Sequence, residues 1–197
     1  MKESLRRLRT DTVDLWQVHA WDPWTPMDET LAAIDDAVAA GKVRYAGISN
    51  YAGWQMARAA TWQQAVPGRT PLVTAQMEYS LLERGIEREI VPAAQSAGMG
   101  VLPWSPLGRG VLTGKYRHSM PIDSRGANVE TAGWVQVYLD ERGRRIVDAV
   151  ATAAELAGSV GSNNDLRRRD GYMYSYNLNV QHQLRAATLL EVGYMGN

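Results

Sequence analysis

Four short apolar runs, each followed by a stretch of helix length, constrain the fold of this chain more than any other feature. They read VDLWQVH (Val13 to His19), VRYAGISN (Val43 to Asn50), LVTAQMEYS (Leu72 to Ser80) and GVLPWSPL (Gly100 to Leu107). None alternates cleanly between apolar and polar residues, as expected of strands in a parallel sheet covered by helices. The stretch after the first run has a helix start at Thr25, with Pro26 at the first helical position and Asp28 three residues after the cap. Leu31, Ile34 and Val38 then share a face, and Gly41 stops the helix. Trp54 to Ala65 predicts a second helix that ends before Pro67-Gly68. Glu87 to Ala97 predicts a third, with Ile90, Val91 and Ala94 toward the sheet and Pro92 near its start, where a missing N–H costs least. Glu141 to Ala157 predicts a fourth, with Ile146, Val150 and Ala154 inward. Four successive βα steps predict a right-handed parallel α/β arrangement.

The bulk properties exclude several classes. A chain of 197 residues fits one domain, or one domain with a short appendage. Its formal net charge is zero, so no long-range field recruits nucleic acid or an anionic membrane, and neither partner is expected. The Arg6-Arg7 and Arg167-Arg168-Arg169 clusters are short and read as solvated faces. The absence of cysteine removes disulfides, thiolate chemistry and cysteine-ligated zinc. No apolar run approaches the roughly 18 residues of a membrane helix, and no signal peptide is visible. A cytoplasmic location without stable membrane insertion is therefore expected.

Beyond Gly161 the pattern changes. SNNDLRRRDG is polar and turn-rich, and predicts a linker over 161–170. GYMYSYNLNV then alternates, with Tyr172, Tyr174, Tyr176, Leu178 and Val180 on one face. That predicts a half-buried antiparallel strand, a polar connection QHQLRA, and a second strand carrying Thr188, Leu190, Val192 and Tyr194. Residues 171–197 thus read as a hairpin-like tail beside a parallel domain over 1–160.

In parallel α/β sheets and barrels, ligands sit at the carboxyl ends of the strands. The first run delivers His19 there, the second Ser49 and Asn50, the third Gln76 with Glu78 and Tyr79 just beyond, and the fourth Trp104 and Ser105. Ser, Asn and Gln can converge on a planar amide, which offers both donors and an acceptor. Trp104 offers a flat face to a heteroaromatic ring. Backbone amides from Ser105 through Leu107, Gly108, Arg109 and Gly110, with Arg109 or Lys115 nearby, could hold a phosphate. His19 could donate to a substrate oxygen or move a proton. A nicotinamide nucleotide accounts for these features together. The alternatives are a packed or surface His19, Ser49-Asn50 as a cap for the next helix, and Trp104 as ordinary core. GRGVLTGKY is not a Walker motif, since Arg109 replaces the first glycine and Tyr116 follows the lysine. His19 and Asp22 alone make no metal site.

The segments SLRRLRTDTVDLWQVH, GKVRYAGISN, QMEYSLLERGIE and VLPWSPLGRGVLTGKY resemble the aldo-keto reductase family in order and spacing, from Met1 to about Val160. The resemblance implies part of a (β/α)8 TIM barrel, with four parallel strands and their helices. It implies reduction of an aldehyde or ketone by NADPH, with a small carbonyl compound as substrate. By resemblance, His19 sits beside the substrate carbonyl, while Ser49, Asn50 and Gln76 bind the nicotinamide carboxamide. Trp104 stacks on the nicotinamide, and Ser105, Leu107 and the Gly108–Arg109–Gly110 turn wrap the pyrophosphate.

The family's catalytic Asp, Tyr and Lys fall ahead of the segment that starts here at Met1, and its motif for the adenosine 2′-phosphate falls after Val160. The expectation is a truncated reductase with weak or absent turnover alone, or a nucleotide-binding remnant without chemistry. Exposed strand edges in such a partial barrel predict self-association. The tail GYMYSYNLNVQHQLRAATLLEVGYMGN resembles a strand pair of TonB-dependent outer-membrane receptors. That gives a further reading, a chimeric chain carrying outer-membrane strands of different origin.

Overall fold

Gly41 shows how this sequence sets its element boundaries. Helix α2 (Met27–Ala39) buries Met27, Leu31, Ile34 and Ala37, which recur every three to four residues. The chain then turns through Gly41 at φ 69°. The Gly41 amide donates to the Val38 carbonyl (2.9 Å) and the Lys42 amide to the Ala37 carbonyl (3.0 Å), the paired bonds of a Schellman stop. Strand β2 (Val43–Ser49) follows at once.

The computed structural model describes residues 2–161, 180–185 and 188–192, with side chains described for 2–155. The chain divides into two units, Met1–Glu155 and Leu156–Asn197. The first unit opens with α1 (Lys2–Leu8) and β1 (Val13–Val18), followed by α2 and β2. Then come α3 (Gly53–Ala65), β3 (Leu72–Glu78), α4 (Ile90–Ala97) and β4 (Gly100–Trp104). A long segment carrying a 3-10 turn (Gly108–Thr113) and the short α5 (Ala132–Gln136) leads to α6 (Glu141–Gly161).

The strands lie in the order β1-β2-β3-β4, and every neighbouring pair is parallel. This is a partial (β/α) barrel: four parallel strands with flanking helices. Its main core joins Leu31 and Ile34 of α2, Met56, Ala59 and Ala60 of α3, and Ala94 of α4 to Ala46, Ile48, Ala75 and Met77 of the sheet. Each fully buried large side chain there contributes about 1.5–3 kcal/mol. Strand alternation sends Gln17, Gly47, Ser49, Thr74, Gln76 and Glu78 to the opposite face. Among the described residues no helix is long and apolar enough to cross a membrane.

Some local expectations are corrected. Pro26, not Thr25, precedes the first helical residue, and its carbonyl accepts from the Glu29 and Thr30 amides (3.1 and 3.3 Å). Thr25 instead donates its hydroxyl to Asp22 (2.6 Å). On α6, Val147 is buried and Ile146 partly so, whereas Ala154 is exposed. The segment before α6 packs on the Val147 side of the helix, so the inward stripe is set by that contact rather than by the sheet.

In the second unit, β5 (Val180–Arg185) and β6 (Thr188–Val192) pair antiparallel, with Val180 opposite Val192. The expected connection QHQLRA is therefore corrected, since β5 runs along most of it. The polar composition of QHQLRA imitates a turn. The expected first strand over 171–180 lies outside the described residues except for Val180, and the hairpin-like tail built on its tyrosines is not shown.

Candidate functional site

The carboxyl ends of β1 to β4 form one rim, and Asn50 ties it together. Asn50 follows the last residue of β2 and adopts φ 57°, a left-handed conformation that Asn tolerates better than most residues. Its backbone amide donates to the Gln76 carbonyl of β3 (3.1 Å). Its side-chain amide donates to the His19 carbonyl just past β1 (2.9 Å). The side-chain oxygen accepts from the Trp104 indole N–H at the end of β4 (3.0 Å). One residue thus joins four strand ends.

Ser49, buried at 2% exposure, donates its hydroxyl to the Gln76 carbonyl (2.8 Å), leaving the oxygen free to accept. Among the described residues no hydrogen bond engages the Gln76 side chain, and Asn50 retains one amide hydrogen. An acceptor, an amide hydrogen and an open carboxamide match the two faces of a planar amide. The residues therefore fit a carboxamide-bearing ring beside the Trp104 indole. His19 is exposed at the same rim. The helix-cap alternative for Asn50 is set aside: α3 begins at Ala52-Gly53, where Gln55 reaches back to accept from the Ala52 amide (2.8 Å).

The segment after β4 starts with a second strained residue, Ser105 at φ 51°. The Gly108 amide donates to the Ser105 carbonyl (2.8 Å) and the Gly110 amide to the Leu107 carbonyl (3.1 Å). Those two amides are committed inside the turn. A Cβ at Gly108 would run into Leu82, so the turn rests directly on that buried side chain.

Arg109 is engaged as well. Its guanidinium donates to both carboxylate oxygens of Glu78 (2.9 and 2.7 Å). The Tyr138 hydroxyl donates to the same carboxylate (2.8 Å). Burial first, and the bond to Glu78 second, push the Tyr138 phenol up to about 12. The bond to Glu78 raises Arg109 above its ordinary value. Lys115 is exposed, with its ammonium 5.2 Å from the Tyr116 ring centre. The Tyr79 hydroxyl donates to Glu87 (2.8 Å).

The structure therefore brings His19, Ser49, Asn50, Gln76, Trp104 and Ser105 to one rim, with Leu107, Gly108, Arg109 and Gly110 in the turn that follows. Tyr138 escaped sequence reasoning because it lies in a segment without periodicity. Glu78 was visible at a strand end, but its pairing with Arg109 has no local signal. Beside the rim, Trp21 meets Tyr51 edge-on (5.3 Å between ring centres) and Trp54 at a tilt (5.7 Å).

A model of the aldo/keto reductase family matches residues 1–179. The chain is 47% identical over 116 residues to an oxidoreductase of Bacillus subtilis, covering 58% of this chain and 35% of that protein. It is 40% identical over 110 residues to norsolorinic acid reductase of Aspergillus flavus, covering 56% and 28%. It is 29% identical over 160 residues to an NADP(+) aryl-alcohol dehydrogenase of Phanerodontia chrysosporium, covering 80% and 40%. The chain thus spans less than half the length of these relatives. The family match runs through the expected linker and into the tail. It overturns the resemblance of 171–197 to TonB-dependent receptors, and the chimeric reading falls with it. Alternating tyrosines fit any half-buried strand and are not specific to a membrane barrel.

Proposed function

The chain belongs to the aldo/keto reductase family, and on that premise we propose that it forms the nicotinamide-nucleotide-binding side of an NADPH-dependent carbonyl reductase. The observation that carries this reading is the Asn50 bridge from the His19 carbonyl to the Trp104 indole across parallel strand ends. Ser49, Asn50 and Gln76 would hold the carboxamide, and Trp104 would lie along the ring. Ser105, Leu107, Gly108 and Gly110 would carry the turn that faces the diphosphate. When bound, the nucleotide supplies a hydride to a carbonyl carbon. His19 orients the carbonyl oxygen by donating to it. The contact between the half-buried Trp21 and the exposed Trp54, together with the aryl-alcohol relative, favours an aromatic aldehyde or ketone.

Turnover by this chain alone is slow in this reading. The Tyr79 and Tyr138 hydroxyls at the rim are committed to Glu87 and Glu78, and Tyr51 is buried. No phenol is left among them to protonate an alkoxide, so binding without efficient chemistry is the favoured outcome. The location proposed is cytoplasmic. Association of copies through β1 and β4, the edges of the four-stranded sheet, is part of the same reading.

The test is titration of NADPH against tryptophan fluorescence, followed by NADPH consumption with an aromatic aldehyde panel. Quenching that Trp104→Ala abolishes, with little consumption, supports the proposal. Absence of quenching in the unaltered chain defeats it.

A further inference from the structure

Three consecutive residues of the turn after β4 are left-handed: Gly108 at φ 56°, Arg109 at 57° and Gly110 at 93°. Glycine accepts this course freely, whereas arginine does so only when its surroundings impose it. Arg109 is imposed upon from several directions. Glu78 takes its guanidinium bidentately, and the two side chains are only 19% and 17% exposed. The Trp134 carbonyl accepts a further N–H (3.3 Å). The guanidinium carbon lies 5.5 Å from the Trp104 ring centre and 5.7 Å from that of Tyr138. Trp104 is in turn held at its indole N–H by Asn50.

A charged fork paired in this way is a poor anion ligand, because its charge is already balanced. It is well suited to fixing a ring and a loop. We propose that Glu78 is a positioning residue: acting through Arg109, it fixes the Trp104 indole at the rim and holds the 105–114 segment in place through its left-handed turn at 108–110. Its consequence for ligand binding rests on the nucleotide reading above, while its consequence for the loop does not. Arg109 belongs to this support and does not touch the diphosphate.

Two variants of the full chain test it. Glu78→Gln keeps the shape and an acceptor for Tyr138 but removes the charge. Arg109→Lys keeps the charge but removes the fork. Amide hydrogen exchange without ligand is measured across 105–114, and NADPH affinity is measured at low and high salt. Both variants are expected to speed exchange in 105–114 about tenfold and weaken NADPH about tenfold, with the salt dependence of binding unchanged. Tyr138→Phe, which leaves the ion pair in place, should speed exchange only a few-fold. Exchange at the unaltered rate in Glu78→Gln would overturn the proposal. So would tighter NADPH binding in that variant, since it would mean that Glu78 had been withholding Arg109 from an anion. Loss of the salt dependence in Arg109→Lys would do the same. If one variant fails to fold, the other decides by the same readouts. If the unaltered chain does not bind NADPH, the nucleotide reading fails, and the exchange measurements still decide the role of Glu78.

Discussion

At Gly47 the missing side chain lets two strands reach across a third. Gln17 of β1, Gly47 of β2 and Thr74 of β3 stand in register. The Gln17 side chain donates to the Thr74 hydroxyl over the bare glycine (3.2 Å). A Cβ at Gly47 would run into that hydroxyl and lie 3.0 Å from the Thr74 carbonyl and 3.1 Å from the Gln17 Cγ. Gly47→Ala should therefore destabilise the chain by about 1–3 kcal/mol, from crowding and a lost hydrogen bond. Urea unfolding checks this, and adding Thr74→Ala should recover part of the loss. An unchanged midpoint for Gly47→Ala would show that the strands separate at no cost. At this scale the positions of the strand-end residues were legible, because polar residues close the apolar runs of the parallel sheet. The partners of Asn50 and Arg109 were not. Asn50 meets His19 and Trp104, and Arg109 meets Glu78, across strand boundaries that only the fold brings together.

The helices hold to the sheet through packing and one polar knot. Gln63 of α3 is 2% exposed, and its amide donates to Asp35 of α2 (2.8 Å) and to the Thr70 carbonyl ahead of β3 (3.0 Å). The Thr70 amide donates to the same Asp35 oxygen (2.8 Å). Two helices and the entry to a strand are thereby fastened at one point. Gln63→Ala leaves the Thr70 carbonyl and one Asp35 contact without that donor, and should cost about 2 kcal/mol. Asp35→Ala should cost a similar amount, and the double variant should cost less than the sum, because both remove the same knot. Strict additivity in denaturant unfolding would refute the coupling. Elements with sustained periodicity were legible: β1 to β4 end within a few residues of the sequence expectation, and α2 stops at Gly41 as read. The 3-10 turn and α5 were not, since they are too short for a 3.6-residue pattern to show. The strand assignment failed at QHQLRA because its polar composition is that of a connection, while the pairing that makes it a strand comes from β6.

Within Met1–Glu155 there are two apolar clusters rather than one. The larger lies between α2, α3, α4 and the sheet. The smaller gathers Leu82, Val111, Val135, Tyr138 and Val147, and so joins the loop after β3 to the segment after β4 and to α6. Glu78 stands at the joint, since it ends β3 and receives Tyr138 from the second cluster and Arg109 from the turn after β4. This arrangement predicts an alkaline transition. Tyr138 is pushed up to about 12 in the folded chain, against about 10 when unfolded. A raised phenol favours the fold while protonated, so its contribution is fully present below pH 10 and is lost as pH rises toward 12. That difference corresponds to about 2.7 kcal/mol, or about 1–2 kcal/mol once solvent screening near the rim is allowed for. Tyr51, raised by burial, and Tyr79, raised by its bond to Glu87, add losses of the same sign. Above pH 10 the second cluster should loosen first, because the phenolate of Tyr138 would face the carboxylate of Glu78. Hydrogen exchange over 107–113 should then rise before exchange in β2 and β3. Tyr138→Phe should flatten the loss of stability between pH 10 and 12 while lowering stability modestly at neutral pH. If that variant and the unaltered chain lose stability in parallel over this interval, Tyr138 does not govern the joint between the two cores.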